Sequence, residues 1–166
     1  MSAEEVLDIL RSKNLKLVLA ESLTGGLLSY RFASVPGASD SLLGAVVAYD
    51  TELKHSLLGV SAALLENQGA VDPEVAAQMA SQLRIKIATL KNLPIEQLVA
   101  IATTGVAGPT EQAGKGIGEV YIAIDRGGDG SSSTNVYAHQ LKGDRSEIQE
   151  AVVLLALSHL QEEIAG

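Results

Sequence analysis

The chain contains no cysteine, which excludes disulfide bonds, thiolate nucleophiles and zinc–thiolate sites. Its three histidines, His55, His139 and His159, are far apart in sequence and lack the short spacings typical of a metal site. Aromatic residues are scarce too, because tryptophan is absent and phenylalanine occurs once. The core must therefore be built from small aliphatic side chains, which favours close packing of helices on a sheet.

Basic residues are outnumbered: 12 Lys and Arg against 20 Asp and Glu give a net charge of −8. No basic cluster is present of the kind that holds a phosphate backbone, so we expect no nucleic-acid partner. The apolar runs are too short to cross a bilayer, and the first residues do not resemble a signal peptide. We therefore expect no membrane partner and a cytoplasmic location. The length of 166 residues fits a single domain over 1–166.

Helical and strand patterns alternate along the chain and predict an α/β fold. We expect a three-layer α/β/α sandwich with a mixed sheet, in which parallel strands are joined by an antiparallel hairpin at one edge. The predicted strands lie near 17–21, 42–49, 98–102, 118–125 and 134–140, and the hairpin loop covers 126–133. The predicted helices lie near 2–13, 25–35, 51–58, 61–67 and 73–91 and from 144 onward.

The first strand leads into a hydroxyl- and glycine-rich turn, Ser22-Leu23-Thr24-Gly25-Gly26. A helix predicted to begin near Thr24 or Gly25 would present backbone N–H groups to a phosphate or an oxyanion, with Ser22 beside it. Alternatively, Ser22 or Thr24 is an ordinary helix cap and the glycines only permit close packing. The turn does not match dinucleotide-binding, P-loop or hydrolase-elbow motifs, so it implies no named cofactor.

A second small-residue turn, residues 103–109, follows the third predicted strand. In open α/β folds, ligands bind where the strands end. We therefore expect both turns to open at the same edge of the sheet and to form one pocket.

A nucleophilic serine needs a base, and Lys54 is the most informative candidate. If Thr51 caps the short helix, Lys54 is its third residue, where the helix dipole disfavours a cation and favours a neutral amine. The alternative is a solvated lysine. Tyr49, at the end of the second strand, is a candidate for holding or relaying the proton, or else a tyrosine of the core or rim.

The last helix carries two further features. Arg145 in its first turn would suit a clamp on phosphate or carboxylate, and the alternative is an ion pair with Asp144 or Glu147. Residues 151–157 are apolar on nearly every side, so this segment must be covered twice. We expect the second cover to be a partner subunit and the protein to be a homo-oligomer. A further helix of the same chain is the alternative.

These motifs together resemble the carboxy-terminal domain of the CinA family, from near the first residue to the last. They occur in the family's order: 20–26 (AESLTGG), Tyr49 with Lys54, 58–60 (LGV), 69–71 (GAV), 105–109 (GVAGP) and 143–145 (GDR). The chain is similar to a stand-alone member. The resemblance implies hydrolysis of nicotinamide mononucleotide to nicotinate mononucleotide and ammonia, without a metal or redox cofactor.

The resemblance also implies roles for individual residues. Ser22 would be the nucleophile, Lys54 the base and Tyr49 its assistant. The two turns would hold the oxyanion and the phosphate of a small-molecule nucleotide substrate. The implied substrate-binding residues are Thr24, Gly25, Gly26, Thr104, Gly105, Ala107, Gly108 and Arg145.

Four positions depart from the family's usual pattern: Leu23 replaces Cys, Thr51 replaces Asn, Asp72 replaces Ser, and Gln149 replaces a basic residue. At 51 and 149 the chain loses an amide and a cation that could contact substrate. The competing function is therefore a catalytically weak or inactive nucleotide sensor, or an oligomeric interaction module, of the same family.

Overall fold

A computed structural model describes residues 2–127 and 133–166 of the chain. Its secondary structure is one five-stranded sheet with helices on both faces, plus two short 3₁₀ turns. The strands are β1 (Lys16–Glu21), β2 (Leu42–Val47), β3 (Leu98–Gly105), β4 (Glu119–Asp125) and β5 (Thr134–Gln140). The helices are α1 (Ala3–Ser12), α2 (Leu27–Ala33), α3 (Thr51–Ser56), α4 (Ala62–Gln68), α5 (Pro73–Lys91) and α6 (Arg145–Ala165).

The strand order is β2-β1-β3-β4-β5. The first three strands of this order are parallel, and β4 and β5 are added antiparallel as a hairpin. The predicted α/β sandwich with a mixed sheet and a hairpin edge is therefore confirmed. Residues 128–132, in the predicted hairpin loop, lie outside the described residues. Within the described ranges, no helix is long and apolar enough to cross a membrane.

Aliphatic side chains fill a core on each face of the sheet, as the shortage of aromatic residues requires. One core lies under α1, α2 and α6 and includes Leu7, Leu10 and Phe32. The other lies under α5 and includes Met79 and Leu83. The sheet is thus covered on both sides, and the open ends of its strands remain for a ligand.

Local capping explains where the longer helices begin. Ser2 and Glu5 form a reciprocal capping box at α1, and Asp144 and Glu147 form another at α6. At α5 the Asp72 carboxylate accepts the N–H groups of Glu74 and Val75, and Pro73 stands in the first turn. These starts agree with the sequence prediction.

The apolar segment of α6 is covered mainly by its own chain. Helices α1 and α2 pack against α6, and Val152, Val153 and Leu157 are fully or almost fully buried. Leu154 is the large apolar side chain of this segment that remains exposed, at 52%. The alternative, a covering helix from the same chain, therefore accounts for most of the segment, and the homo-oligomer stays a prediction.

We expect the wild-type protein to sediment as an oligomer and the Leu154→Lys variant as a monomer, because an ammonium group at an apolar interface is costly to desolvate. Sedimentation velocity measures the change. Leu90→Lys is the matched control, because Leu90 is 75% exposed on α5 and should leave assembly unchanged. A monomeric wild-type protein at high concentration would contradict the prediction.

Candidate functional site

A cavity of about 280 Å³ opens where β1 and β3 end side by side. Ser22 directly follows β1, and its N–H donates to the Thr103 carbonyl at 3.0 Å. The cavity is lined by residues 22–23, Tyr49, 70–71, 104–108, 110–112 and Arg145. The two turns therefore do meet at one edge of the sheet, as their positions after parallel strands predicted.

The structure brings together seven of the predicted site residues. Those that line the cavity are Ser22, Tyr49, Thr104, Gly105, Ala107, Gly108 and Arg145. The four that lie outside its lining are Thr24, Gly25, Gly26 and Lys54.

The N-terminus of α2 is occupied by a carboxylate of the chain itself. Glu21 is fully buried, and its Oε2 accepts the N–H groups of Gly26 and Leu28, both at 3.1 Å. Its Oε1 accepts the N–H of Ser29 at 2.8 Å. These N–H groups are thus not available to an external phosphate or oxyanion. That corrects the expectation drawn from the turn, in which a ligand was to take this place.

The start of α2 is also later than predicted. Gly25 and Gly26 adopt left-handed backbone angles, with φ of 56° and 100°, so regular helix begins only at Leu27. The Thr24 hydroxyl is buried and hydrogen-bonds with that of Thr103 at 2.9 Å. Sequence reasoning overlooked Glu21. The signal that pointed to it was a carboxylate at the last position of an otherwise apolar strand, just before a helix start.

Other backbone N–H groups at the cavity remain unused. Leu23, Ala107 and Gly108 line the cavity, and their N–H groups donate to no acceptor among the described residues. Such groups are the donors that stabilise an oxyanion or a bound phosphate. The site therefore has candidate donors in both turns, next to Ser22 and at 107–108.

Arg145 lies at the mouth of the cavity. Its guanidinium donates to the Gly108 carbonyl at 2.7 Å and to the Tyr49 hydroxyl, and it stands 5.9 Å from the centre of the Tyr49 ring. The predicted alternative was an ion pair with Asp144 or Glu147, but those residues cap α6 and form no described ion pair with Arg145. An exposed cation is thus held beside the second turn.

Lys54 is buried, with 1% of its surface exposed, so the solvated alternative is wrong. Its Nζ donates to the Ala48 carbonyl at 2.8 Å and to the Tyr49 carbonyl at 3.4 Å. Burial lowers the pKa of Lys54 to about 8, and the Asp50 carboxylate opposes that shift. Lys54 thus holds a much more readily deprotonated amine than an exposed lysine does.

The position of Lys54 in its helix differs by one residue from the prediction. Asp50, not Thr51, caps α3, because its carboxylate accepts the Glu52 N–H at 2.8 Å. Lys54 is therefore the fourth residue of α3. None of its described hydrogen bonds goes to Ser22. Lys54 and Ser22 are linked indirectly through Ala48. The Ala48 carbonyl accepts from Lys54, and the Ala48 N–H donates at 2.8 Å to the carbonyl of Glu21, the residue before Ser22.

Thr104 and Gly105 shape the cavity wall. The Thr104 hydroxyl donates to the Ala70 carbonyl at 2.6 Å and fixes the 70–71 segment against β3. A Cβ atom at Gly105 would lie 2.5 Å from a Val120 methyl group and 2.8 Å from the Glu119 carbonyl oxygen. Only glycine fits there without displacing β4.

Two of the positions that depart from the family pattern have hydrogen-bond partners of their own. The Gln149 amide donates to the Leu23 carbonyl at 2.7 Å, so it holds the residue that follows Ser22. Asp72 caps α5, and Thr51 is an exposed residue at the start of α3. Gln149 therefore contacts the turn that contains Ser22, although it is not in the cavity lining.

The described residues include no group of three His, Asp or Glu side chains able to hold a metal ion. Two histidines that are distant in sequence do meet: His139 and His159 share a hydrogen bond between their Nε2 atoms at 3.0 Å. Their separation in sequence gave no sign of this contact.

Comparison with known proteins agrees with the fold and the motifs. The chain matches the CinA C-terminal domain over residues 1–164. It is 40% identical over 161 residues to a CinA-like protein of Frankia casuarinae, covering 97% of this chain and 34% of that protein. A CinA-like protein of Salinibacter ruber is 35% identical over 159 residues, covering 95% of this chain and 36% of that protein. The chain thus spans about a third of the length of these relatives.

Solved structures give the same result. A CinA superfamily protein from Enterobacter cloacae superposes with a TM-score of 0.82 at 27% identity, covering 99% of this chain and 93% of that one. A competence/damage-inducible protein from Agrobacterium tumefaciens superposes with a TM-score of 0.83 at 28% identity, with the same coverage. The chain therefore belongs to the CinA family, and the part of the family that it matches is the C-terminal domain.

Proposed function

We propose that this chain hydrolyses the carboxamide of nicotinamide mononucleotide to nicotinate mononucleotide and ammonia. One observation carries the proposal: Ser22 lines the same cavity as unused backbone N–H groups and as a second turn that Arg145 contacts. Such a cavity suits a ligand with a carbonyl at one end and an anionic group at the other.

The reaction is an acyl transfer. Ser22 Oγ attacks the amide carbon and passes its proton to Lys54, and the oxyanion accepts the N–H of Leu23. The C–N bond breaks as the proton moves from Lys54 to the nitrogen, and ammonia leaves. Water then attacks the acyl ester, giving one proton to Lys54. As the ester C–O bond breaks, Lys54 returns that proton to Ser22, and the carboxylic acid product loses its own proton to solvent.

Lys54 fits the role of base because of what surrounds its amine. A neutral amine has two N–H donors and one lone pair. The carbonyls of Ala48 and Tyr49 accept two donors, which leaves the lone pair for the serine proton. The contact between Lys54 and Ser22 would form when substrate binds, since catalytic hydrogen bonds often tighten only in the complex.

The second turn is the proposed phosphate site. Glu21 fills the N-terminus of α2, so an anionic group is better placed at Arg145 and the N–H groups of Ala107 and Gly108. Tyr49 supports both ends, because its carbonyl accepts from Lys54 and its hydroxyl accepts from Arg145.

A second candidate function has one observation in its favour. Arg145 is the sole Lys or Arg in the described cavity lining, and Glu111 brings a negative charge into the same lining. Weak phosphate binding would suit a nucleotide sensor that does not turn its ligand over. Saturable binding of nicotinamide mononucleotide without ammonia release would support this candidate.

Replacing Ser22 with Ala should lower ammonia release from nicotinamide mononucleotide by about three orders of magnitude or more, because the acyl ester cannot form. A coupled ammonia assay measures the rate, and circular dichroism checks that the fold is kept. Ser34→Ala, an exposed serine at the end of α2, is the control and should keep full activity. Nicotinamide riboside and glutamine serve as substrate controls. Undiminished turnover in the Ser22→Ala variant would end the proposal.

The rate should also depend on pH through Lys54. We expect kcat/KM to rise with pH and to level off above about 8, because the base works only as a neutral amine. Lys54→Met and Lys54→Arg should both be inactive, since neither can accept a proton at these pH values. An active Lys54→Arg variant would exclude Lys54 as the base.

The same group should affect stability in a way that does not depend on activity. The pKa of Lys54 falls from the ordinary 10.5 to about 8 on folding, so between these values the unfolded chain binds one proton more. The free energy of unfolding should therefore rise there by up to about 1.4 kcal/mol per pH unit. Urea denaturation measures the free energy of unfolding of the wild type and of Lys54→Met. The wild-type value minus the variant value should rise from pH 8 to 10 and stay constant below pH 8. A difference that is constant with pH would show that the pKa of Lys54 is not lowered.

A further inference from the structure

We infer that Glu21 is a positioning residue for the nucleophile: its carboxylate holds the turn that presents Ser22 to the cavity. The inference rests on the proposed function and names a residue that has no contact with the reacting atoms. Glu21 lies directly before Ser22 and does not line the cavity.

The first support is that the Glu21 side chain alone accepts three hydrogen bonds at the start of α2. Both oxygens of Glu21 are used, and they accept three backbone N–H groups across the start of α2, at Gly26, Leu28 and Ser29. The carboxylate is fully buried and lies at the positive end of the helix. One side chain thus ties the end of β1 to the first turn of α2, with the Ser22 turn between them.

The second support is that packing alone does not hold this turn. Gly25 and Gly26 have left-handed backbone angles, and glycine is free to leave them. A Cβ atom at Gly25 would meet nothing within 4 Å, and one at Gly26 would meet only a Val47 methyl group at 3.9 Å. Side-chain packing therefore does little to restrict these two residues. Hydrogen bonds hold them instead: the Gly26 N–H donates to Glu21 Oε2 at 3.1 Å, and the Gly25 N–H donates to the Ser22 carbonyl at 3.0 Å.

The third support is the link from Glu21 to the proposed base. The Glu21 carbonyl accepts the Ala48 N–H at 2.8 Å, and the Ala48 carbonyl accepts from Lys54 Nζ at 2.8 Å. Glu21 thus joins the nucleophile turn through its side chain and the lysine through its backbone. A shift of this residue would alter the distance between Ser22 and Lys54.

A carboxylate meets this requirement and an amide does not. An ionised carboxylate accepts at both oxygens, whereas a glutamine side chain has one accepting oxygen and one NH₂ donor. In Glu21→Gln the NH₂ group would face at least one backbone N–H group. The variant keeps the size of the side chain and removes part of what holds the turn.

The test is the Glu21→Gln variant in the ammonia-release assay, with rates expressed per folded molecule. We expect kcat to fall about tenfold to a hundredfold, because a displaced nucleophile loses its attack geometry. KM should change less than about threefold, since the second turn is untouched, and the pH at which the rate levels off should stay the same. A purely structural role would lower the folded fraction and leave kcat per folded molecule unchanged.

Asp125→Asn is the matched control. Asp125 is also a buried carboxylate, at 1% exposure, and it contacts Arg84 and Thr134 at the end of β4 remote from the cavity. This variant should lose stability but keep its kcat per folded molecule. An equal fall in kcat for both variants would overturn the inference, and so would an unchanged kcat in Glu21→Gln.

A readout that does not need turnover separates this inference from the proposed function. The rate at which a fluorophosphonate labels Ser22, followed by mass spectrometry, should be about tenfold lower in Glu21→Gln than in the wild type. If the wild type releases no ammonia but this difference is found, the proposed function fails and the inference stands. Equal labelling rates, or a wild-type Ser22 that is not labelled, would overturn the inference.

Discussion

The site depends on the hydrogen bonds that the Glu21 carboxylate accepts from backbone N–H groups at the N-terminus of α2. A helix N-terminus with free N–H groups ordinarily binds an anionic ligand. Here a carboxylate of the same chain takes that place. The two turns at the strand ends therefore have different properties. At the first turn the Glu21 carboxylate accepts three N–H groups and the Leu23 N–H is left unused among the described residues. At the second, the N–H groups of Ala107 and Gly108 are unused and an exposed arginine lies beside them.

Among the described residues, two long cationic side chains are buried, and their surroundings differ. Arg84 is paired with Asp125 at 3.3 Å and donates to the carbonyls of Leu98, Ile95 and Gly127, so its charge is compensated. Lys54 has two carbonyl partners and no ion pair among those described, and burial lowers its pKa to about 8. The first arrangement supports the sheet, and the second yields an amine that can exchange its proton near neutral pH.

The departures from the family pattern gain a physical meaning from the contacts. Gln149 carries no charge, but its amide donates to the Leu23 carbonyl and so adds a hydrogen bond to the turn that also bonds to Glu21. The Asp72 carboxylate caps α5 by accepting the N–H groups of Glu74 and Val75. Because Gln149 does not line the cavity, its described contact bears on the geometry beside Ser22.

The sequence by itself determined the layers of the fold, because apolar periodicity, Asp72-Pro73 and the capping residues of α6 are local signals. It also determined that both turns lie at one edge, since each follows a parallel strand. Local pattern misplaced the cap of α3 by one residue because Asp50 and Thr51 can both serve as caps. Only the tertiary structure decided that Glu21 turns into α2, that Lys54 is buried and that His139 meets His159. These contacts depend on side-chain direction and on desolvation by residues far away in sequence. A local signal, such as the carboxylate just before α2, can therefore indicate a candidate residue but not its partners.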